Sequence, residues 1–289
     1  MSQIRGIKDV VDAELEGRTN TYNFRKNPTP GGGTGYWFDL SMFPGNPVPK
    51  FWFGSPLVGY AISQSADGGF FHGSNVSPAK KYLRKLTLSA TAPITTNLPL
   101  KIILCDYLLY YPLIDEGTLD EQFLDNTQSI TRYTDGVGVQ AICVSLTTRT
   151  GLQSFYINYT NQDGVAGRIS RTVRENAVTS LGVLLTSETS VNANTCVFIP
   201  LQDGDTGVRS IESVTMLGID TGLFSLILVK PLVSTVLMEI NAPSERDFLV
   251  ESGNLPEIKD DAYLNLLCNP NGAINASNIL ADMKVIWSD

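Results

Sequence analysis

The stretch Gln153-Ser154-Phe155-Tyr156-Ile157-Asn158-Tyr159 decides the fold. Gln153, Phe155, Ile157 and Tyr159 alternate with Ser154, Tyr156 and Asn158, which is the period of two of a strand with one buried and one solvated face. Asp163-Gly164 follows, with Gly167 just beyond. Asp-Gly is a favoured hairpin dipeptide because the tight turns that match strand twist need positive φ. The return strand is expected at 168–173, so residues 152–173 read as a β-hairpin.

Outward from this hairpin the pattern repeats. Runs rich in β-branched and apolar residues predict strands at 83–90, 100–104, 107–111, 139–148, 152–160, 168–173, 178–186, 194–199, 208–217, 223–229 and 235–240. Turn residues separate them, as at Thr134-Asp135-Gly136 and along Gln202 to Gly207. There is no repeated alternation of strand and helix of the kind that builds a parallel sheet. The expected fold is therefore an all-β, antiparallel β-sandwich with a jelly-roll-like layout. Its body spans residues 36–289, with 242–289 as a candidate C-terminal extension. The acidic segment 113–130 is expected to hold a helical turn or two, and 276–287 a helix or a last strand.

Residues 1–35 differ in character. Ile4, Ile7, Val10, Val11 and Leu15 recur at helical spacing between charged residues, which predicts an amphipathic helix of about three turns. The polar stretch Gly17 to Asn27 follows, then Pro28, Pro30 and glycines 31, 32, 33 and 35. This reads as an extended arm that ends in a flexible joint. A helix this short needs a surface to bury its stripe against, either its own domain or a neighbouring subunit. Residues 36–71 are rich in aromatics, including Tyr36, Trp37, Phe51, Trp52 and Phe53. Clustered rings fill a core or a subunit interface, or form a platform for sugars. The candidate interface residues are Ile4, Ile7, Val10, Val11, Leu15, Tyr36, Trp37 and Trp52.

Composition narrows the chemistry. The 289 residues include one histidine and four cysteines, and 17% are charged, below the roughly 25% of an average globular chain. A net charge of −8 argues against a nucleic-acid partner, which calls for clustered Lys and Arg. No run reaches the roughly 18 apolar residues of a membrane span, and Met1 to Arg18 lacks the apolar core of a secretory signal. Cys105, Cys143, Cys196 and Cys268 form no CxxC pair and read as reduced core thiols. Without a secretory signal, the glycosylation triplets at Asn75, Asn158 and Asn275 read as chance matches.

Each chemical candidate has a bland counterpart. Every imidazole-based scheme must pass through His72, which sits between aromatics and glycines and reads as a hydrogen-bonded loop residue. Gly31-Gly32-Gly33-Thr34-Gly35 lacks the Lys-Ser/Thr of a phosphate loop and reads as a hinge. Asp115-Glu116 and Asp120-Glu121 offer carboxylate pairs for glycoside hydrolysis, but any acidic loop does so. Asp203 and Asp205 suggest a loose calcium loop without the spacing of an EF-hand. No catalytic residue, cofactor or metal is expected.

The run Tyr111-Pro112-Leu113-Ile114-Asp115-Glu116-Gly117, with Asp125-Asn126 and Tyr133-Thr134-Asp135-Gly136, resembles virion proteins of tailed bacteriophages. So do 161–171 and the run from Phe198 to Ser210. The similarity spans roughly residues 80–289. It implies a non-enzymatic structural component of the particle, a capsid decoration or minor capsid protein, that works in a symmetric homo-oligomeric assembly. The implied partners are copies of itself and other virion proteins, such as the major capsid or tail components, with neither nucleic acid nor membrane. The implied location is the virion, assembled in the bacterial cytoplasm. A tail or fibre adhesin that binds surface glycans is the alternative.

Overall fold

The computed structural model describes residues 3–29, 36–91, 98–151, 153–176, 181–189, 197–251, 255–272, 274 and 277–289. Its elements are α1 (Ile7–Leu15), β1 (Thr19–Lys26), β2 (Phe38–Asp39), a 3-10 turn (Leu40–Met42), β3 (Gly45–Asn46), β4 (Tyr60–Ala61), β5 (Lys81–Ala90), β6 (Leu100–Asp115), β7 (Gln122–Phe123), β8 (Gln140–Ser145) and β9 (Ser154–Asn161). Then come β10 (Arg168–Ile169), β11 (Val173–Glu175), β12 (Thr186–Thr189), β13 (Val208–Met216), β14 (Leu223–Leu237), β15 (Ser244–Asp247), α2 (Phe248–Glu251), β16 (Glu257–Ile258), β17 (Leu264–Asn269) and β18 (Ile279–Trp287). They form three six-stranded sheets. The first outer sheet runs β15-β5-β18-β1-β3 with β16 beside β5, and the second runs β12-β11-β9-β13-β7 with β10 beside β9. The central sheet runs β2-β17-β6-β14-β8 with β4 beside β6. Every strand pairing in these sheets is antiparallel. The all-β antiparallel sandwich expected from the sequence is the fold.

The β6–β14 ribbon organises the molecule, and its bulges decide which side chain faces which core. Leu228 pairs with Leu109 and Val229 with Tyr107, so Leu108 is an extra residue on β6. An extra residue switches the parity of everything beyond it. Ile102 and Leu104 before the bulge therefore share a face with Leu109 and Tyr111 after it. On that face Ile102, Leu104 and Val233 pack with Phe24, Leu83, Leu86 and Leu88 of the first outer sheet. Farther along, Leu109, Tyr111 and Leu226 pack with Phe155, Ile157, Tyr159 and Val214 of the second. The two outer sheets thus lie side by side on one face of the central sheet. The opposite face, with Ile103, Cys105, Tyr107, Ile142, Ile227 and Val229, is covered by Trp37, Met42, Trp52 and Ile62.

The N-terminal segment corrects one expectation. Gly17 to Asn27 contains strand β1, paired with β18 from Thr19↔Ile286 to Lys26↔Ile279 and with β3 on its other side. Phe24 enters the first core and stacks on Phe70 at 3.5 Å. The Lys26 ammonium is buried and donates to the carbonyls of Phe43 and Pro47 at 2.9 and 2.8 Å. What reads as an arm is therefore part of the body. The proposed hinge at 31–35 lies outside the described residues. Helix α1 stops where its sequence dictates: Gly17 takes φ of +74°, and the N–H groups of Arg18 and Gly17 reach the carbonyls of Ala13 and Glu14. That double closure favours glycine at the left-handed position.

Other boundaries shifted for physical reasons. The strands expected at 100–104 and 107–111 are one strand, because Asp106 is paired inside the protein rather than turning the chain outward. The strands at 223–229 and 235–240 likewise join through Lys230-Pro231, where a bulge at Leu232 absorbs the proline. Residues 113–130 carry the end of β6 and the short β7 and no helical turn. Residues 197–199 of the strand expected at 194–199 form no strand, and 194–196 lie outside the described residues. The last segment is strand β18. Cys105, Cys143 and Cys268 are free and buried, and burial pushes each thiol up. Cys196 lies outside the described residues.

Candidate functional site

Helix α1 has two apolar faces. Val10 and Ala13 pack on Ile286 of β18, with Ile4, Tyr82, Leu249 and Leu255 around them. The Lys284 ammonium meets the Glu14 carboxylate at 2.6 Å, and Arg18 Nη1 donates to the Trp287 carbonyl at 2.7 Å. Ile7, Val11 and Leu15 face away, with 69%, 47% and 81% of their surface exposed. Spaced by four residues, they form one ridge along the helix. The helix thus packs on its own domain and still presents a second apolar stripe to solvent.

The remaining sequence candidates lie elsewhere. Ile4 is half-buried beneath α1, and Tyr36 is half-buried against the second core. Trp37 and Trp52 are buried in the layer that covers the central sheet, which corrects their reading as surface contacts or as a sugar platform. Trp52 stacks on Tyr107 with ring centroids 5.6 Å apart, and its Nε1–H donates to Asp39 Oδ2 at 2.6 Å. Phe51 and Phe53, which flank Trp52 in sequence, are exposed on one side of the chain, their rings stacked with centroids 6.4 Å apart. A Phe-Trp-Phe run carries its strand-like alternation openly, but which parity turns inward depends on the sheet below.

His72 is a buried structural lock. Ala262 O only accepts, so His72 Nε2 carries the proton and donates to it at 2.8 Å. The Lys81 ammonium only donates, so it donates to Nδ1 at 3.1 Å and to Ser74 O at 2.8 Å. Burial first, and the Lys81 charge second, lower the His72 pKa from 6.5 to about 4. The unfolded chain takes up this proton below pH 6.5 and the folded chain only near pH 4. The contribution of His72 to stability is present above pH 6.5 and lost as pH falls through 4, up to about 3 kcal/mol. Wild type should therefore lose more stability than His72→Gln between pH 7 and 4 in parallel urea titrations; other groups titrating in that window act on both proteins alike. Parallel curves would contradict the lock.

The acidic candidates are mostly engaged. Asp205 accepts from Arg168 Nε and Nη2 at 2.9 and 3.1 Å, from Tyr159 OH at 2.6 Å and from Asn161 Nδ2 at 2.8 Å. Arg168 holds that carboxyl well below its usual range. Asp203 pairs with Arg171, so the loop expected as a loose calcium site is closed by two arginines. Glu121 accepts from Ser213 Oγ, and Asp115 Oδ1 accepts from Gly117 N–H at 2.7 Å. Glu116 is buried against Arg149, beside Glu175 and Asp220. A cleft of about 410 Å³ opens beside Lys80, Lys81, Arg132, Glu257, Lys259 and Asp260. Its charges are also spoken for, since Lys80 and Lys259 pair with Glu257 and Asp260 accepts from the N–H groups of Val76 and Ser77. Among the described residues no helix is long and apolar enough to cross a membrane.

No family model matches the chain, and no curated protein matches it. Solved structures similar to it over most of its length include two of viral particles. One is of T=1 particles derived from infectious bursal virus, with 10% identity over 93% of this chain and 77% of that one, at a TM-score of 0.22. The other is the VP2 subviral particle of infectious bursal disease virus, with 11% identity over 94% and 81% of the two chains, at a TM-score of 0.19. No residue and no role is carried from either to this chain.

Proposed function

We propose that the chain is a non-enzymatic structural subunit of a virus particle, of the tailed-bacteriophage type its sequence resembles, and that it acts as a capsid decoration or minor capsid protein. Its partners are copies of itself and neighbouring virion proteins, and its place is the virion. The observation that carries this reading is the ridge of Ile7, Val11 and Leu15, an apolar stripe facing solvent on a helix whose other apolar face is already used. Contiguous exposed apolar surface of this kind marks contact with another protein. The engagement of His72 and Asp205 in internal locks supports a role in contacts rather than in bond making.

The ridge can be tested without disturbing the fold. The triple variant Ile7→Ser, Val11→Ser, Leu15→Ser should melt close to wild type, since exposed substitutions rarely exceed about 0.5 kcal/mol each. Its incorporation into particles, or its self-association by sedimentation, should fall at least tenfold, as loss of about 1.4 kcal/mol of contact energy already produces. Undiminished incorporation would refute the ridge as the contact. Deleting residues 1–35 is a poor substitute, because it removes β1 from the first outer sheet.

A further inference from the structure

Three carboxylates from three separate connections converge where the central sheet meets the end of the second outer sheet. Glu116 follows β6, Glu175 closes β11, and Asp220 lies in the turn between β13 and β14. One oxygen from each lies within 4.8 Å of the others. Their exposures are 0%, 2% and 5%. The chain path builds the cluster through main-chain bonds: Asp220 N–H donates to Glu116 O at 2.9 Å, and Glu116 N–H to Gly222 O at 3.1 Å.

The partners are unevenly shared. Asp220 accepts from the N–H groups of Gly151 and Thr221, both at 2.7 Å, and from Thr150 Oγ1 at 2.9 Å. Arg149 Nη1 pairs with Glu116 Oε1 and stands 3.8 Å from Glu175 Oε1, and Arg149 Nη2 donates to Leu223 O and Ser145 Oγ. Among the described residues, no hydrogen-bond donor reaches Glu116 Oε2 or either oxygen of Glu175, all of them buried. Buried polar atoms almost always have a partner, and here three unpartnered acceptors share one cluster. Gly222 keeps the space around Glu116 open, since a Cβ there would lie 2.5 Å from Oε2 and 2.8 Å from Oε1.

The donor set identifies the ligand class. Carboxylate oxygens with no nitrogen or sulfur among them favour a hard cation. Ca²⁺ binds oxygens at about 2.3–2.6 Å in irregular geometry, so two oxygens across one ion stand nearly 5 Å apart, whereas Mg²⁺ requires about 2.0–2.1 Å and near-octahedral order. Three carboxylates and one guanidinium leave two negative charges, which one divalent cation neutralises. We propose that Glu116, Glu175 and Asp220 form a buried Ca²⁺ site that ties β6, β11 and the β13–β14 turn together, with Arg149 holding the second oxygen of Glu116.

The test uses the full chain, stripped with EDTA and melted at pH 7.5 with and without CaCl₂ at about 1 mM, the weak end of the range for protein calcium sites. A ligand that binds only the native state raises the melting temperature. The expected results are a rise of several degrees with Ca²⁺, a smaller one with Mg²⁺, and one Ca²⁺ per chain by titration calorimetry. Glu175→Gln keeps the side-chain shape and removes one repelling charge. Its metal-free form should melt at or above wild type while its Ca²⁺ shift disappears. No wild-type response, or an undiminished shift in Glu175→Gln, would overturn the site. Neither result bears on the ridge of α1, whose substitutions leave the cluster untouched.

Discussion

Replacing Arg132 with methionine should lower the unfolding free energy by about 3–5 kcal/mol, the usual loss when one partner of a buried ion pair is removed. Arg132 donates through Nε and Nη2 to the two oxygens of Asp106 at 2.9 and 2.8 Å. It also donates to Ile62 O at 3.0 Å and Tyr107 O at 2.9 Å, and Asp106 Oδ1 accepts from Tyr263 N–H at 3.0 Å. Both residues are buried. Asp106 sits on β6 between Leu104, which belongs to the first core, and Leu108, which belongs to the second, and Arg132 reaches it from the connection between β7 and β8. Burial raises the Asp106 carboxyl, and Arg132 opposes that rise. Without Arg132 the carboxylate must stay charged in apolar surroundings or take up a proton, and either costs stability at neutral pH. The double variant Asp106→Leu, Arg132→Met should recover part of the loss, because an apolar pair leaves no buried charge. Urea denaturation of the single and double variants gives the comparison. A single-variant loss below about 1 kcal/mol, within the range of surface ion pairs, would show that the seam between the cores does not depend on this pair.

Trp52→Ala should cost a similar amount, about 3–5 kcal/mol, by loss of buried ring surface and the cavity it leaves. Trp52 is fully buried among Tyr107, Tyr110 and Tyr263. Its indole also serves Asp39, a buried carboxylate that accepts from Ser41 N–H at 3.0 Å and Tyr107 OH at 2.9 Å as well. Trp52→Phe retains much of the packing and removes the N–H, so it should cost less, about 1–3 kcal/mol for a buried acceptor that loses one donor. Denaturant unfolding should therefore rank wild type above Trp52→Phe and Trp52→Phe above Trp52→Ala. Equal small losses in both variants would place the ring at the surface instead.

Strands whose burial follows their own period were readable from the residues alone. β5, β9 and β13 lie close to the runs expected at 83–90, 152–160 and 208–217. β1 was not readable as a strand, because Thr19, Asn20, Thr21 and Asn23 are polar and its main partner β18 lies more than 250 residues away in sequence. Helix α1 was readable, but its spacing admits two apolar faces. Only β18 shows that Val10 and Ala13 turn inward and leave Ile7, Val11 and Leu15 outside. Glu116, Glu175 and Asp220 share no spacing that any motif records, since each closes a different strand or turn.

The residues by themselves determined that this protein is all-β and antiparallel, because side-chain alternation and turn dipeptides act over a few positions. Which face of each strand and helix is buried, and which distant charges meet, was decided only by tertiary structure. One extra residue at Leu108 reverses the facing of half a strand, and desolvation depends on neighbours that the chain brings together only after it folds.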